Sequence, residues 1–213
     1  MVKHTLLAGA ATLALSGAAN AMIIDFTDSD VWSTGVTSAD YDGLTVSLSS
    51  DPEGINFDDM VNNDTLFPCG TMLACDNDGI GIIDDEISNP DGVSQSVTVT
   101  FSDEVLLVGF AGFDLYADGP GEALIVNGTG MAYGGELSAD GGNGWGYSGS
   151  LNLVGSSFTF TVDVNNDLAG VADGALAALD IVYEMAPVPL PAGILLLGGA
   201  LGGLAMTRRR KAA

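Results

Sequence analysis

Hydrophobic and polar residues alternate with a period of two in several short segments of the chain. The alternation is found in residues 24–27, 44–49, 96–101, 158–165 and 179–184. It is typical of β-strands that bury one face and expose the other. Residues 104–118 and 122–128 are more continuously apolar, which favours central strands. Clusters of Gly, Asp, Asn and Pro lie between these segments and predict turns.

No long amphipathic helix is evident between the strands. Residues 169–179 have a helix-forming composition, but Gly174 interrupts them. Many short strands with Gly-, Asp- and Pro-containing turns predict an all-β fold, a single β-sandwich of jelly-roll type over residues 22–187. A region of this size suits one domain with its own core.

The N-terminus has the pattern of a signal peptide. Lys3 precedes an apolar stretch over residues 5–17, and small residues, Ala19 and Ala21, follow it. We therefore predict that residues 1–21 are removed by signal peptidase after Ala21, so that the mature chain begins at Met22 outside the cytoplasm. The alternative is a short N-terminal core helix.

The C-terminus carries a Pro-containing motif, an apolar run and a basic tail. The motif consists of Val188, Pro189, Leu190, Pro191 and Ala192. An apolar, Gly-rich run follows over residues 193–206, and residues 208–211 are all basic. Counted from the motif, the apolar segment reaches the roughly 20 residues that span a bilayer core. The basic tail fits an end that stays on the cytoplasmic side.

In these features residues 188–213 resemble the VPLPA variant of the PEP-CTERM sorting signal. The resemblance implies a transmembrane helix that holds the protein in the inner membrane of a Gram-negative bacterium. An exosortase-type transpeptidase would then cut at the motif, and the protein would reach the cell surface or the extracellular matrix. The alternative is a plain C-terminal membrane anchor.

The charge is distributed very unevenly along the chain. All five Lys and Arg and the single His lie in the two terminal segments, whereas all 28 Asp and Glu lie between them. With no basic residue in that region, its formal charge is −28. Nucleic acid is excluded as a partner, because its binding depends on Lys and Arg. Divalent cations become the natural partners, although the acidity also serves solubility.

Cys69 and Cys75 lie close together in "PCGTMLAC". A local disulfide is the expected state of two neighbouring cysteines in an exported chain. A zinc site is disfavoured, because the mature region has no His to complete it.

The densest group of carboxylates lies in the Gly-containing segment "CDNDGIGIIDDE". It contains Asp76, Asp78, Asp84, Asp85 and Glu86. Calcium takes 6–8 oxygen ligands, so this loop is the first candidate for a Ca²⁺ site, and a solvated acidic turn is the alternative. Asp25 and Asp180, in the first and last strands, form a second candidate pair.

Catalysis has little support in the mature region. Without His, Lys or Arg there is no Ser-His-Asp triad and no Schiff-base lysine, so we expect no enzymatic activity. A carboxylate pair as in glycosidases remains as an unspecific alternative. Candidate sugar-stacking aromatics are Trp32, Tyr41, Tyr116, Tyr133, Trp145 and Tyr147. Trp145 and Tyr147, within "GGNGWGYSG", are the first choice, and edge packing on the sandwich is the alternative.

Residues 78–184 also resemble, more loosely, exported β-sandwich domains that precede PEP-CTERM tails. The sequence therefore predicts an exported structural or adhesive domain that calcium stabilises. A carbohydrate-binding module for an envelope or matrix polysaccharide is the alternative.

Overall fold

The computed structural model describes residues 19–57, 69–83, 86–115, 122–130, 133–135, 144–163 and 173–184. Nearly all of them belong to one compact unit, Asn20–Tyr183. The sorting segment 188–213 and residues 1–18 lie outside the described residues. Among those described, none forms a helix that is long and apolar enough to cross a membrane.

The described part of the chain is all-β, as predicted. Its strands are β1 (Ala19–Asp25), β2 (Ser38–Tyr41), β3 (Leu44–Asp51), β4 (Ile55–Asn56), β5 (Gly81–Ile82), β6 (Ser96–Phe113), β7 (Leu124–Val126), β8 (Thr129–Gly130), β9 (Tyr133–Gly135), β10 (Trp145–Ser148), β11 (Leu153–Val162) and β12 (Ala175–Glu184). Within the described ranges, ten of these strands join in one sheet, and β4 and β5 form a small second sheet. A single 3-10 turn at Pro90–Gly92 is the helical element there.

The long strand β6 organises the large sheet, because four other strands pair with it, all antiparallel. Its first part, 96–101, pairs with β3 on one side, and 97–100 pair with β11 on the other. Its last part, 106–113, pairs with β12, and 110–113 also pair with β10. The register with β11 shifts between these two parts.

The main hydrophobic core gathers the inward residues of the strands. Val97, Val99 and Phe101 of β6 are buried while Thr98 is half-buried and Thr100 exposed, which is the alternation that the sequence predicts. In the last part of β6 both faces are covered, since Phe110 joins the main core and Ala111 and Phe113 join a smaller cluster on the opposite face. The smaller cluster includes Leu73, Ala111 and Ala178, which line the cleft described in the next subsection.

Several strand predictions are confirmed, and others differ in extent. The alternating segments 44–49, 158–165 and 179–184 lie largely within β3, β11 and β12. Residues 96–101 and the apolar run after them form the single strand β6, because the chain continues extended through 102–104. β10 was not predicted, since its alternate residues Gly146 and Ser148 give no hydrophobic pattern.

The helix-forming composition of 169–179 does not produce a helix in the described residues. Ala175 to Leu179 belong to β12, because pairing with β6 buries all five of their side chains. At the other end of the chain, β1 begins at Ala19, so the predicted signal-peptidase site after Ala21 falls within this strand.

Candidate ligand-binding site

An apolar cleft of about 240 Å³ lies on the face of the sheet where β10, β6 and β12 run side by side. Tyr147 of β10 and Ala178 of β12 both pair with Ala111 of β6, so the three residues form one row across the sheet. Asp180 pairs with Gly109 in the neighbouring row. Ala111 and Ala178 are both small and line the cleft, so they form a floor that a ligand can approach closely.

The walls of the cleft come from three separate parts of the chain. Trp145 and Tyr147 project from β10, and Ile23 projects from β1. Met72 and Leu73 come from the loop between Cys69 and Cys75. Leu73 is buried, whereas Met72 is 53% exposed and Tyr147 is 42% exposed. Large side chains that line a cleft and remain this exposed offer apolar surface to a ligand.

Two glycines allow the Tyr147 ring to lie against the backbone. A Cβ atom added to Gly109 would lie 2.5 Å from the Tyr147 hydroxyl oxygen and 2.7 Å from the Ser148 carbonyl oxygen. A Cβ atom added to Gly149 would lie 2.8 Å from Cε1 of the same ring. Any side chain at these positions would therefore displace the ring.

The polar edge of the cleft is a pair formed by Tyr147 and Asp180. The Tyr147 hydroxyl donates a hydrogen bond to Oδ2 of Asp180 over 3.3 Å. Burial, the negative charge of Asp180 and this hydrogen bond together raise the pKa of the Tyr147 phenol. The phenol therefore stays protonated at neutral pH and continues to donate to the carboxylate.

The predicted disulfide between Cys69 and Cys75 is confirmed. The two Cα atoms are 5.5 Å apart and the S–S distance is 2.11 Å. Within the loop, the N–H of Gly70 donates to the carbonyl oxygen of Leu73 over 2.8 Å. The disulfide thus closes a tight turn, which carries Met72 and Leu73 to the cleft.

Asp25 and Thr27 hold this turn against the end of β1. Oδ2 of Asp25 accepts a hydrogen bond from the N–H of Ala74 over 2.7 Å, and its Oδ1 accepts from the hydroxyl of Thr27 over 2.6 Å. The Thr27 hydroxyl oxygen in turn accepts from the N–H of Cys75 over 2.8 Å. Both carboxylate oxygens of Asp25 therefore accept hydrogen bonds from protein donors, and a calcium ion shared with Asp180 stays a prediction.

The acidic segment after the disulfide is partly folded into the core. Oδ2 of Asp76 accepts hydrogen bonds from the N–H and the hydroxyl of Ser29, over 3.2 and 2.9 Å. Asp78 is only 6% exposed, and Ile80 and Ile82 have no exposed surface. The segment from 78 to 82 is therefore not the solvated turn that formed the alternative to a calcium site.

For the other predicted calcium ligands, Asp84, Asp85 and Glu86, the described residues show no side-chain arrangement around a common point. Asp84 and Asp85 lie outside the described residues, and Glu86 accepts a hydrogen bond at its carbonyl oxygen from the N–H of Ile82 over 3.0 Å. Within the described ranges, no group of three His, Cys, Asp or Glu side chains is arranged to hold a metal ion. A calcium site that includes Asp84 and Asp85 stays a prediction.

The candidate aromatic residues divide between the cleft and the core. Trp145 and Tyr147, the first choice from the sequence, line the cleft together. Trp32, in contrast, has no exposed surface, and its Nε1–H donates to the Tyr41 hydroxyl oxygen over 2.8 Å. Burial raises the pKa of Tyr41 to about 12. Trp32 is therefore a core residue, and a role in sugar stacking is wrong for it.

Sequence reasoning missed the apolar residues that face the two aromatics. Ile23, Met72, Leu73, Ala111 and Ala178 come from four separate segments, and no local pattern links them. The small residues in the apolar run of β6 were the available signal, because they mark a place where a ligand or another backbone can approach a strand closely.

Comparisons of this chain with protein-family models, with curated proteins and with solved structures found no match. The site must therefore be interpreted from its own geometry. It offers two aromatic rings, a floor of small residues and one carboxylate beside a phenol, and this arrangement is suited to binding.

Proposed function

We propose that this protein is an exported, non-enzymatic β-sandwich of jelly-roll type that binds an envelope or matrix polysaccharide and serves as an adhesive component of the cell surface. The observation that carries the proposal is the cleft. Trp145 and Tyr147 present partly exposed rings above a floor of small residues, with Asp180 at the edge. Pyranose rings have an apolar face that stacks on aromatic rings and a hydroxyl rim that hydrogen-bonds to carboxylates.

The size and position of the cleft support this ligand class. Its volume of about 240 Å³ is slightly below the roughly 300–1,000 Å³ of drug-sized ligand sites. It is open to solvent, since two of its wall residues are about half exposed. One or two sugar units of a longer chain fit such an open site, and the rest of the polymer would continue into solvent.

Four features support export and the sandwich assignment. The N-terminal segment has the order of a signal peptide, and the C-terminal segment resembles a sorting signal. The disulfide between Cys69 and Cys75 is of the kind that persists outside the cytoplasm. The long strand β6, shared between two groups of partner strands, favours a sheet that folds over itself into two layers.

A glycan array probed with the exported chain tests the binding function. We expect binding to a subset of glycans, and we expect Trp145→Ala to weaken it by about tenfold or more, because loss of a central aromatic anchor is the usual large effect in a binding site. Val154→Ala is the matched control, since Val154 is 65% exposed on β11 and does not line the cleft. Equal losses for both variants, or no glycan bound, would refute the proposed function.

The processing of the two ends can be tested by mass spectrometry of the protein from its producing cells. We expect an N-terminus at Met22 and no peptide beyond residue 192. No Lys or Arg lies between these points, so trypsin cannot cut there, and intact mass or an Asp- or Glu-specific protease is required. Surface-exposed protein that retains Arg208–Lys211 would show a plain anchor instead of a sorting signal.

A further inference from the structure

We infer that the cleft selects a positively charged sugar unit, a hexosamine with a free, protonated amino group, over neutral and anionic sugars. The inference rests on the proposed carbohydrate-binding function and names the ligand chemistry. Three properties of the site support it: the acceptor that faces the ligand, the aromatic faces beside this acceptor, and the charge of the surrounding region.

The first property is that Asp180 can only accept hydrogen bonds when ionised. Among the described residues, the Tyr147 hydroxyl is its one donor, at 3.3 Å, so the carboxylate keeps acceptor capacity toward the cleft. A ligand that covers Asp180 removes water from it and must replace the lost hydrogen bonds. An ammonium group does so best, because charge-assisted hydrogen bonds are about twice as strong as neutral ones.

The second property is the pair of aromatic rings next to this carboxylate. Trp145 and Tyr147 lie two residues apart on β10, so both side chains project on the same face as Asp180. The faces of aromatic rings attract cations within about 6 Å. An amino sugar can therefore stack its apolar face on one ring while its ammonium group lies between the rings and Asp180.

The third property is the absence of any positive charge to oppose the ligand. Residues 22–187 contain no Lys, Arg or His and carry a formal charge of −28. A field of one sign raises the local concentration of oppositely charged ligands and repels like charges. Uronates and sulfated sugars would meet Asp180 with no basic residue to neutralise them, so charge disfavours acidic polysaccharides.

The test compares two ligands that differ only in acetylation. Isothermal titration calorimetry of the purified full chain uses glucosamine oligosaccharides and N-acetylglucosamine oligosaccharides of equal length, each at low and at physiological salt. We expect at least tenfold tighter binding of the free-amine series, with a preference that shrinks as salt rises. Trp145→Ala should weaken both series.

A matched pair of charge variants separates Asp180 from the general acidity of the protein. Asp180→Asn and Glu53→Gln each remove one negative charge. Glu53, however, is exposed in the turn after β3, and β3 pairs with the end of β6 that lies away from the cleft. We expect Asp180→Asn to abolish the preference for the amine and Glu53→Gln to retain it. Equal losses in the two variants would show unspecific attraction and overturn the inference.

Other outcomes distinguish the inference from the function on which it rests. If the acetylated series binds as tightly as the amine series and Trp145→Ala weakens both, the site binds sugars but does not select a cation. If neither series binds, choline and its uncharged analogue 3,3-dimethylbutanol serve as small probes. Binding of choline alone, lost in Asp180→Asn, would then support cation selection and refute the carbohydrate function, whereas binding of none of these probes would overturn both.

Discussion

Gly79 occupies a position that no other residue should tolerate. Its φ angle is +119°, which side-chain-bearing L residues rarely adopt. An added Cβ would lie closest to the carbonyl oxygen of Leu176, 2.7 Å from its carbonyl carbon and 2.8 Å from Cα of Ala177. These are backbone atoms of β12, and the Leu176 carbonyl also accepts the N–H of Ile80 over 2.9 Å. Neither side of the contact can move without breaking this bridge.

The expected cost of Gly79→Ala has two parts. Forcing a residue other than glycine into a rare backbone region costs about 1–3 kcal/mol. Overpacking against a fixed neighbour adds about 1–3 kcal/mol. The sum is about 4 kcal/mol, a large share of the 5–15 kcal/mol by which domains are stable. For a domain of this size each kcal/mol lowers the melting temperature by about 2–4 °C, so we expect a decrease of about 8–16 °C.

Gly43→Ala separates the two parts of this cost. Gly43 also has a positive φ, +88°, but nothing lies within 4 Å of an added Cβ. We therefore expect only the backbone cost there, about 1–2 kcal/mol. The measurement is chemical and thermal unfolding of both variants, followed by circular dichroism. If Gly79→Ala lowers the melting temperature no more than Gly43→Ala does, the close packing of this segment on β12 is wrong.

The remaining predictions concern stability under changed conditions. Because the pKa of Tyr41 is raised from 10.0 to about 12, we expect stability to be complete below pH 10 and to fall as the pH rises toward 12, and Tyr41→Phe should flatten this decline in urea midpoints. Thiol labelling of the unfolded, unreduced protein should find no free Cys69 or Cys75, and their replacement by Ser should cost about 2 kcal/mol for so short a loop. Millimolar calcium should raise the melting temperature by several degrees beyond sodium chloride of equal ionic strength, and Asp84→Asn with Glu86→Gln should remove this effect. An equal rise with both salts would leave calcium without a specific site.

The strand content was predictable because it depends on a local pattern. Alternation around Val46, Val97 and Phe158 indicates which side of each strand faces the core. This pattern can be recognised in a short segment of sequence without knowledge of the tertiary structure. The disulfide was predictable for the same reason, since its two cysteines are neighbours in the chain. In contrast, the length of β6 was missed, because the polar residues 102–104 interrupt the pattern while the backbone stays extended.

The cleft was predictable only in part. Trp145 and Tyr147 stood out because large aromatics in a Gly-rich segment are unusual candidates for burial. Their partners could not be identified, since Ile23 and Met72 reach the site only through the pairing of β1 with β12 and through the hydrogen bonds of Asp25. Trp32 was predicted as a possible ligand-stacking residue but is buried in the core. Nothing in its local sequence indicates that Phe26 and Phe57 pack against its ring.

β12 is the last strand of the described residues, so the large sheet is completed late in the synthesis of the chain. This strand pairs with the second part of β6, which precedes it by about seventy residues, so the sheet closes only after long-range contacts form. Before β12 has been synthesised and has paired with β6, Phe110 and its neighbours on β6 lack one partner strand. An unpaired apolar strand edge can pair with other chains and so promotes aggregation. A chain exported N-terminus first, as proposed, would carry this open edge while the roughly seventy residues between the end of β6 and the end of β12 cross the membrane. Because β12 also supplies Asp180, the proposed binding site would be complete only after the proposed export of nearly all the described residues.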